Sequence, residues 1–150
     1  MKKKIAILGS TGSIGKSLIN IIKKDKKNIE VLLVVVNKNI KELLKQISLF
    51  KIKNIIVTDS RKFLYLKKIL NKKKIKIFDN FNSFNEIFKN KKVDYTLSAI
   101  SGLEGLEPTI KIIKFTKKIA IANKESLICA WPLIERELVK NKAKFVPIDS

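Results

Sequence analysis

The stretch KIAILGSTGSIG, residues 4–15, joins a short apolar run to a loop that carries three glycines. The run Lys4–Leu8 predicts a buried β-strand. Beyond the loop, apolar residues recur at helical spacing, and we expect them on one helix face: Ile14, Leu18, Ile21 and Ile22. A strand, a glycine turn and a helix in this order are typical of the first unit of a parallel α/β sheet.

The rest of the chain repeats this alternation. Further runs rich in apolar and β-branched residues predict strands at 30–36, 54–59, 74–78, 93–100, 118–123 and 143–149. Amphipathic stretches separate them, and the last one is expected to break or restart at Pro132. Such alternation implies right-handed crossovers. The predicted fold class is therefore α/β, with a Rossmann-like, doubly wound, mostly parallel sheet of about seven strands and helices on both faces.

Length and composition set further limits. The 150 residues correspond to about one domain, so we assign 1–150 to one unit. The single cysteine, Cys129, excludes an intrachain disulfide, favours a reducing compartment such as the cytoplasm, and is expected to be buried. No apolar stretch reaches the roughly 18 residues that a membrane span needs, so no membrane partner is expected.

The net charge of +20 raises nucleic acid as a partner. The cations are almost all lysines, with Arg61 and Arg136 as the two arginines, and they occur in every segment. Abundant Lys, Ile and Asn together favour codon drift in an AT-rich genome, and we expect no specific nucleic acid. A stand-alone basic module that binds nucleotides or nucleic acid remains the alternative. The chain contains no histidine, which excludes an imidazole base or ligand within it.

The glycines of the loop recur every third residue, at 9, 12 and 15. Gly9 would allow a tight turn, Gly12 a close approach of the backbone to a phosphate, and Gly15 close packing of the helix. The N-terminus of that helix offers free N–H groups and a partial positive charge to a pyrophosphate. Because the pattern falls at the first strand–helix junction, a dinucleotide site is favoured over a plain loop.

The end of the second predicted strand indicates which dinucleotide. Enzymes that use NAD place an acid there for the ribose 2′-hydroxyl, but this chain reads Val36-Asn37-Lys38-Asn39. A lysine can pair with a 2′-phosphate, so NADP is favoured. The alternative is that Lys38 is one lysine among many.

Two later stretches also follow predicted strands. ANKESL, residues 122–127, places polar side chains at a strand end, although these residues could equally cap the next helix. FVPIDS, residues 145–150, brings Asp149 to the same edge of the sheet, where a carboxylate suits a divalent cation. One carboxylate does not make a metal site, so further oxygens must come from elsewhere.

Together, GSTGSIG, ANKESL and PIDS (residues 147–150) resemble the 1-deoxy-D-xylulose 5-phosphate reductoisomerase family. The resemblance is collinear over residues 1–150 and covers the N-terminal, NADPH-binding part of that family. It implies an oxidoreductase and isomerase that converts 1-deoxy-D-xylulose 5-phosphate to 2-C-methyl-D-erythritol 4-phosphate in non-mevalonate isoprenoid synthesis. It also implies NADPH, a divalent cation (Mg²⁺, Mn²⁺ or Co²⁺) and a homodimer.

The resemblance also assigns roles to residues. The pyrophosphate would be held by Thr11, Gly12, Ser13 and Ile14, and the 2′-phosphate end by Lys38 and Asn39. Asn123 and Glu125 would contact NADPH, Lys124 and Ser150 the phosphosugar substrate, and Asp149 the metal. No catalytic residue is assigned. Asn37 departs from the glycine that the family usually has, and the family's next metal carboxylate would follow Ser150. We therefore expect the cofactor domain of a longer enzyme, inactive alone.

Overall fold

The computed structural model describes residues 1–148 and is built around one parallel β-sheet. The strand order is β4-β3-β2-β1-β5-β6-β7, and each neighbouring pair is parallel. The strands are β1 (Lys3–Leu8), β2 (Ile29–Val36), β3 (Asn54–Val57), β4 (Lys76–Phe78), β5 (Val93–Ser98), β6 (Thr116–Ile121) and β7 (Lys144–Pro147). The predicted fold class is confirmed.

In the described part of the chain, six α-helices cover the two faces of the sheet. They are α1 (Ser13–Ile22), α2 (Ile40–Phe50), α3 (Ser60–Ile69), α4 (Phe84–Phe88), α5 (Leu106–Ile112) and α6 (Lys124–Asn141). One core layer joins Ile7 and Val34 of the sheet to Leu43 of α2 and to α1 and α3. The other joins Leu8 to Ile112 and to α4 and α6. Successive strand residues thus face opposite layers, which explains why the central strands are apolar without a break.

The chain changes direction at β1. Strands β2, β3 and β4 follow on one side of β1, and β5, β6 and β7 follow on the other. In a doubly wound sheet the loops after such neighbouring strands lead apart, so that a crevice opens at the carboxyl ends of the strands. The glycine loop follows β1 and therefore lies at this crevice.

Helix α1 differs from its predicted orientation. Its buried residues are Gly15, Ile19 and Ile22, whereas Ile14 is 38% exposed and Ile21 is 66% exposed. The prediction considered apolar side chains only. In the structure, α1 turns Gly15, which has no side chain, toward the loop. Close packing at Gly15 sets this rotation and leaves Ile14 and Ile21 facing outward.

Helix α6 is interrupted as predicted. Ala130, two residues before Pro132, has non-helical angles (φ −137°, ψ 24°). Cys129 lies beside this break and is exposed, so the expectation of a buried cysteine was wrong. The helix instead turns Ser126, Ile134 and Leu138 toward the sheet. Within residues 1–148, no helix is both long and apolar enough to cross a membrane.

Candidate functional site

The glycine loop leaves β1 through a turn that only glycine accommodates well. Gly9 has φ +87°, and a Cβ there would come within 2.7 Å of the Ala99 carbonyl oxygen. The Gly9 N–H donates to the Val35 carbonyl at 2.9 Å, which ties the loop to β2. The loop is therefore held between the ends of β2 and β5, as the pattern predicted for its first glycine.

Gly12 is the N-cap residue of α1 and has room for a side chain. A Cβ added there would meet the Gly9 carbonyl oxygen at 3.7 Å, an ordinary contact. Within residues 1–148, no side chain caps the first N–H groups of α1. These N–H groups carry the partial positive charge of the helix N-terminus, so the arrangement suits an anion that approaches over Gly12.

Gly15 lies one turn into α1 and packs directly against the loop. A Cβ there would come 2.7 Å from Ser10 Cα and 2.8 Å from Ser10 C, and backbone atoms cannot give way as a side chain can. Gly15 therefore allows α1 to begin close beneath the loop. The contact is with the loop itself, two residues beyond the end of β1.

A cavity of about 590 Å³ opens at the carboxyl ends of β1, β2 and β5. This volume is typical of small-molecule sites. Of the predicted site residues within 1–148, Thr11 and Gly12 line the cavity. The full lining is Gly9, Thr11, Gly12, Val35, Val36, Asn37, Thr58, Phe81, Ala99, Ile100, Ser101, Glu104 and Glu107.

At the end of β2, Lys38 has an acidic neighbour that the sequence reading missed. The Lys38 Nζ atom lies 4.0 Å from Asp59 Oδ2, and the two side chains are 70% and 23% exposed. Asp59 also accepts a hydrogen bond from the Lys62 N–H at 2.9 Å and so caps α3. The prediction considered an acid at the end of the second strand only. Asp59 follows the third strand, and its side chain reaches Lys38 because neighbouring parallel strands end at the same edge of the sheet.

Asn37 and Asn39 flank Lys38 and have separate partners. Asn39 Oδ1 accepts from the Glu42 N–H at 3.1 Å, which caps α2. Asn37 Oδ1 accepts from the Thr58 hydroxyl at 3.1 Å. The residue that departs from the family's usual glycine is thus tied to the end of β3, while it lines the cavity.

Asn123 connects two neighbouring loops of the site. Its side chain is almost fully buried, at 3% exposed. Its Nδ2 donates to the carbonyls of Ile100 and Gly102, and its Oδ1 accepts from the Ser126 N–H at 2.8 Å. Both amide hydrogens are therefore used within the protein, and Asn123 caps α6, as the alternative reading of ANKESL held. Its contact with a cofactor stays a prediction.

Lys124 and Glu125 form the first turn of α6 and are exposed. Their side chains are thus free to reach a ligand at this edge, in contrast to Asn123. Asp149 and Ser150, the predicted metal and substrate residues, lie outside the described residues. Within residues 1–148, the Cys, Asp and Glu side chains form no group of three that could hold a metal ion. The metal assignment therefore rests on the resemblance.

The lysines gather in space more than in sequence. A second cavity, of about 360 Å³, lies at the amino ends of β1, β3, β4 and β5, opposite the glycine loop. Glu86 and seven lysines contribute to its walls: Lys4, Lys53, Lys74, Lys76, Lys89, Lys91 and Lys92. The far edge of the sheet is therefore strongly positive.

The crevice at β1, the glycine loop and the uncapped start of α1 together define a Rossmann-like, dinucleotide-binding type of domain. The chain belongs to the 1-deoxy-D-xylulose 5-phosphate reductoisomerase family, whose sequence model matches residues 5–131. It is 60% identical over 149 residues to the 1-deoxy-D-xylulose 5-phosphate reductoisomerase of Pelagibacter ubique, a match that covers 99% of this chain and 38% of that protein.

Solved structures of reductoisomerases superpose closely on this chain. The reductoisomerase from Zymomonas mobilis in complex with NADPH superposes with a TM-score of 0.89 at 28% identity, over 100% of this chain and 39% of that one. A reductoisomerase in complex with NADPH, fosmidomycin and magnesium gives a TM-score of 0.88 at 29% identity, over 99% and 36%. The chain thus spans about two fifths of the length of these relatives.

Proposed function

We propose that this chain is the NADPH-binding part of an enzyme that converts 1-deoxy-D-xylulose 5-phosphate to 2-C-methyl-D-erythritol 4-phosphate. The observation that carries the proposal is the open side of Gly12, at the N-terminus of α1 and within the 590 Å³ cavity. Family membership supports it. The alternative of a stand-alone nucleic-acid-binding module is not favoured, because the whole chain aligns with reductoisomerases.

The residues present fit a dinucleotide phosphate. A pyrophosphate over Gly12 would accept hydrogen bonds from the first N–H groups of α1, at Ser13 and Ile14, and from the Thr11 hydroxyl. Lys38 and the side-chain N–H groups of Asn39 would contact the 2′-phosphate. Glu125, exposed at the start of α6, would contact the other end of the cofactor, with Asn123 holding the loop beside it. The bound NADPH supplies the hydride.

The substrate and metal roles are carried over from the family. Lys124 and Ser150 would bind the phosphosugar, and Asp149 would supply one carboxylate ligand to Mg²⁺, Mn²⁺ or Co²⁺. A bound divalent cation polarises a carbonyl and stabilises negative charge on its oxygen. We also propose that the enzyme is a homodimer and that it has further catalytic and C-terminal domains. A cytoplasmic location is proposed from the single cysteine.

Calorimetric titration of the chain with NADPH and with NADH tests the cofactor part of this proposal. We expect saturable binding of NADPH with one site per chain and weaker binding of NADH. If neither dinucleotide binds, the proposal is wrong. The reaction is tested separately with the product of the complete reading frame, which should oxidise NADPH in the presence of 1-deoxy-D-xylulose 5-phosphate and Mn²⁺. Residues 1–150 alone should show no turnover.

A further inference from the structure

Gln46 makes a buried contact between α2 and the glycine loop. The residue lies in the middle of α2 and is 1% exposed. Its Nε2 donates a hydrogen bond of 2.9 Å to the carbonyl oxygen of Ser10, 36 residues earlier in the chain. Ser10 is itself fully buried. The contact therefore joins two parts of the site that lie far apart in sequence.

This contact completes the hold on one loop residue. The Ser10 N–H donates to the Val35 carbonyl at 3.3 Å, so the N–H side of Ser10 is fixed by β2. Its carbonyl is fixed by Gln46 of α2. Since Thr11 and Gly12 follow directly, the plane of the Ser10–Thr11 peptide sets the direction in which the cavity-lining loop continues.

Helix α2 also begins at the other end of the predicted cofactor site. Its N-cap residue is Asn39, directly after Lys38. Seven residues, or about two helical turns and about 10 Å, separate Asn39 from Gln46. One rigid element therefore contacts both the loop expected to hold the pyrophosphate and the residues expected to hold the 2′-phosphate.

Stability alone does not explain the choice of glutamine. Gln46 Oε1 and Ser10 Oγ are buried and have no hydrogen-bond partner among the described residues. A buried amide oxygen without a partner is unfavourable, and an apolar residue of similar length would avoid that cost. The advantage of Gln46 is the hydrogen bond that it donates to the loop.

We infer that Gln46 is a positioning residue, which holds the glycine loop in the geometry that receives the pyrophosphate of the dinucleotide. The inference rests on the proposed cofactor site. Because the pyrophosphate is common to NADPH and NADH, loss of the Gln46 contact weakens both dinucleotides by the same factor. A change at Lys38 differs, since it acts on the 2′-phosphate of NADPH alone.

The test compares Gln46→Met with Leu43→Met in the 150-residue chain. Leu43 is fully buried in the same helix, and both substitutions conserve volume. We expect calorimetry to show that Gln46→Met lowers the affinity for NADPH and for NADH about fivefold to tenfold each. Leu43→Met should stay within about twofold of the unaltered chain for both.

A second variant adds a pH profile that a purely structural role would not produce. In Gln46→Glu, a protonated carboxyl can donate to the Ser10 carbonyl, whereas a carboxylate repels it. Burial raises the pKa of a carboxyl group, so the protonated form is accessible at mildly acidic pH. We expect the affinity of Gln46→Glu for NADP⁺, relative to the unaltered chain at the same pH, to recover as the pH is lowered from 8 to 5.5.

The outcomes separate this inference from the proposed function. If the unaltered chain binds NADPH and both Gln46 variants bind as Leu43→Met does, the positioning role is overturned and the cofactor site stands. If the unaltered chain binds neither dinucleotide, both fail. Should the Gln46 variants not fold, NMR on the unaltered chain decides. Exchange of the Gln46 Nε2 hydrogens should slow when NADP⁺ binds, and an unchanged rate overturns the inference.

Discussion

The Lys38 Nζ atom lies 4.0 Å from Asp59 Oδ2, so the lysine to which we assign a preference for NADPH already faces a carboxylate. Because Lys38 is largely exposed, such a pair is worth about 0.2–1 kcal/mol. A 2′-phosphate carries more charge than a carboxylate and can replace Asp59 as the partner of Lys38. Asp59 then repels the phosphate, so the pair weakens NADPH binding in two ways.

Substitutions at these two positions should therefore act in opposite directions. Lys38→Glu should lower the affinity for NADPH about 10-fold to 100-fold, which corresponds to the roughly 1.5–3 kcal/mol of a charged hydrogen bond. Asp59→Asn should raise it about twofold to fivefold, since asparagine still caps α3. Calorimetry with NADH provides the control, because NADH lacks the 2′-phosphate and its affinity should change little. Equal changes for both dinucleotides would contradict this assignment.

The glycines at 12 and 15 should respond differently to alanine. Gly12→Ala adds a methyl group that clashes with no protein atom, so the chain should fold normally. The methyl group would lie where the pyrophosphate is proposed to bind, so NADPH should bind at least tenfold more weakly. Gly15→Ala forces a methyl group against the Ser10 backbone, which should cost several kcal/mol of folding free energy. Urea unfolding and NADPH titration of both variants distinguish the two. Loss of stability in Gly12→Ala would show that the protein has no room for a side chain at Gly12.

Asp94 lies at the amino end of β5 and makes the free energy of unfolding depend on pH. Its carboxylate accepts from the Lys4 N–H at 2.8 Å and from Lys117 Nζ at 3.3 Å. The hydrogen bond from the Lys4 backbone, helped by Lys117, lowers the pKa of Asp94 below its usual value, although partial burial opposes this. A lowered pKa in the folded state stabilises the fold above the unfolded pKa of about 4, and the stabilisation is lost as the pH falls through the folded value.

Asp94→Asn should therefore lose about 0.5–1 kcal/mol of unfolding free energy at pH 7, a low value because the carboxylate is still partly exposed to solvent. The difference from the unaltered chain should shrink below about pH 4. Urea unfolding at pH 7 and at pH 3 measures it. Asp79→Asn, which removes an exposed carboxylate whose partner is the adjacent Asn80, is the control. The same deficit at both pH values would rule out the charge of Asp94 as the cause.

Periodicity was enough to predict the sheet, because buried parallel strands are apolar on both faces and their helices repeat between them. It failed for α1, where it placed Ile14 and Ile21 on one helix face with Ile22, although Ile22 is buried and the other two are exposed. A count of apolar side chains gives no weight to glycine. The rotation of α1 is set by Gly15, which can pack against the loop backbone because it has no Cβ atom.

Sequence motifs predicted those parts of the candidate site that lie within short, continuous stretches of the chain. The loop at residues 9–15 and the cap at Asn123 are local patterns, and the structure places both at the crevice. Asp59 and Gln46 were missed because their partners, Lys38 and Ser10, lie 21 and 36 residues away. Such contacts follow from strand order, and a single sequence carries no local signal for them.

The lysine-lined cavity at the amino ends of the strands should bind DNA weakly and without regard to sequence. Its lysines offer charge, and binding of that kind falls steeply with salt. We expect fluorescence anisotropy to detect random-sequence DNA at about 20 mM salt and to lose most of the affinity by about 150 mM. Alanine at Lys74, Lys89 and Lys91 should weaken binding more than alanine at Lys23, Lys24 and Lys27, which removes the same charge elsewhere. A sequence-specific complex that survives 150 mM salt would contradict this view.

Asp149 should be essential in the complete enzyme, although it lies outside the described residues. It follows β7, the strand next to β6, whose own end leads into Lys124 and Glu125. Carboxyl ends of parallel strands meet at one edge, and Pro147 at the end of β7 pairs with Ile121 at the end of β6. A carboxylate is the ligand type that Mg²⁺ and Mn²⁺ prefer, and a neutral amide at that position binds them more weakly.

We therefore expect Asp149→Asn, in the product of the complete reading frame, to lower turnover at least 100-fold with 1-deoxy-D-xylulose 5-phosphate and Mn²⁺. The affinity for NADPH, measured by calorimetry without metal, should stay within about twofold, because the dinucleotide contacts are assigned to other residues. Glu135→Gln provides a matched control, since Glu135 is an exposed acid on α6 outside the predicted site. Near-normal turnover in Asp149→Asn would refute the metal assignment, whereas loss of NADPH binding would instead indicate a damaged fold.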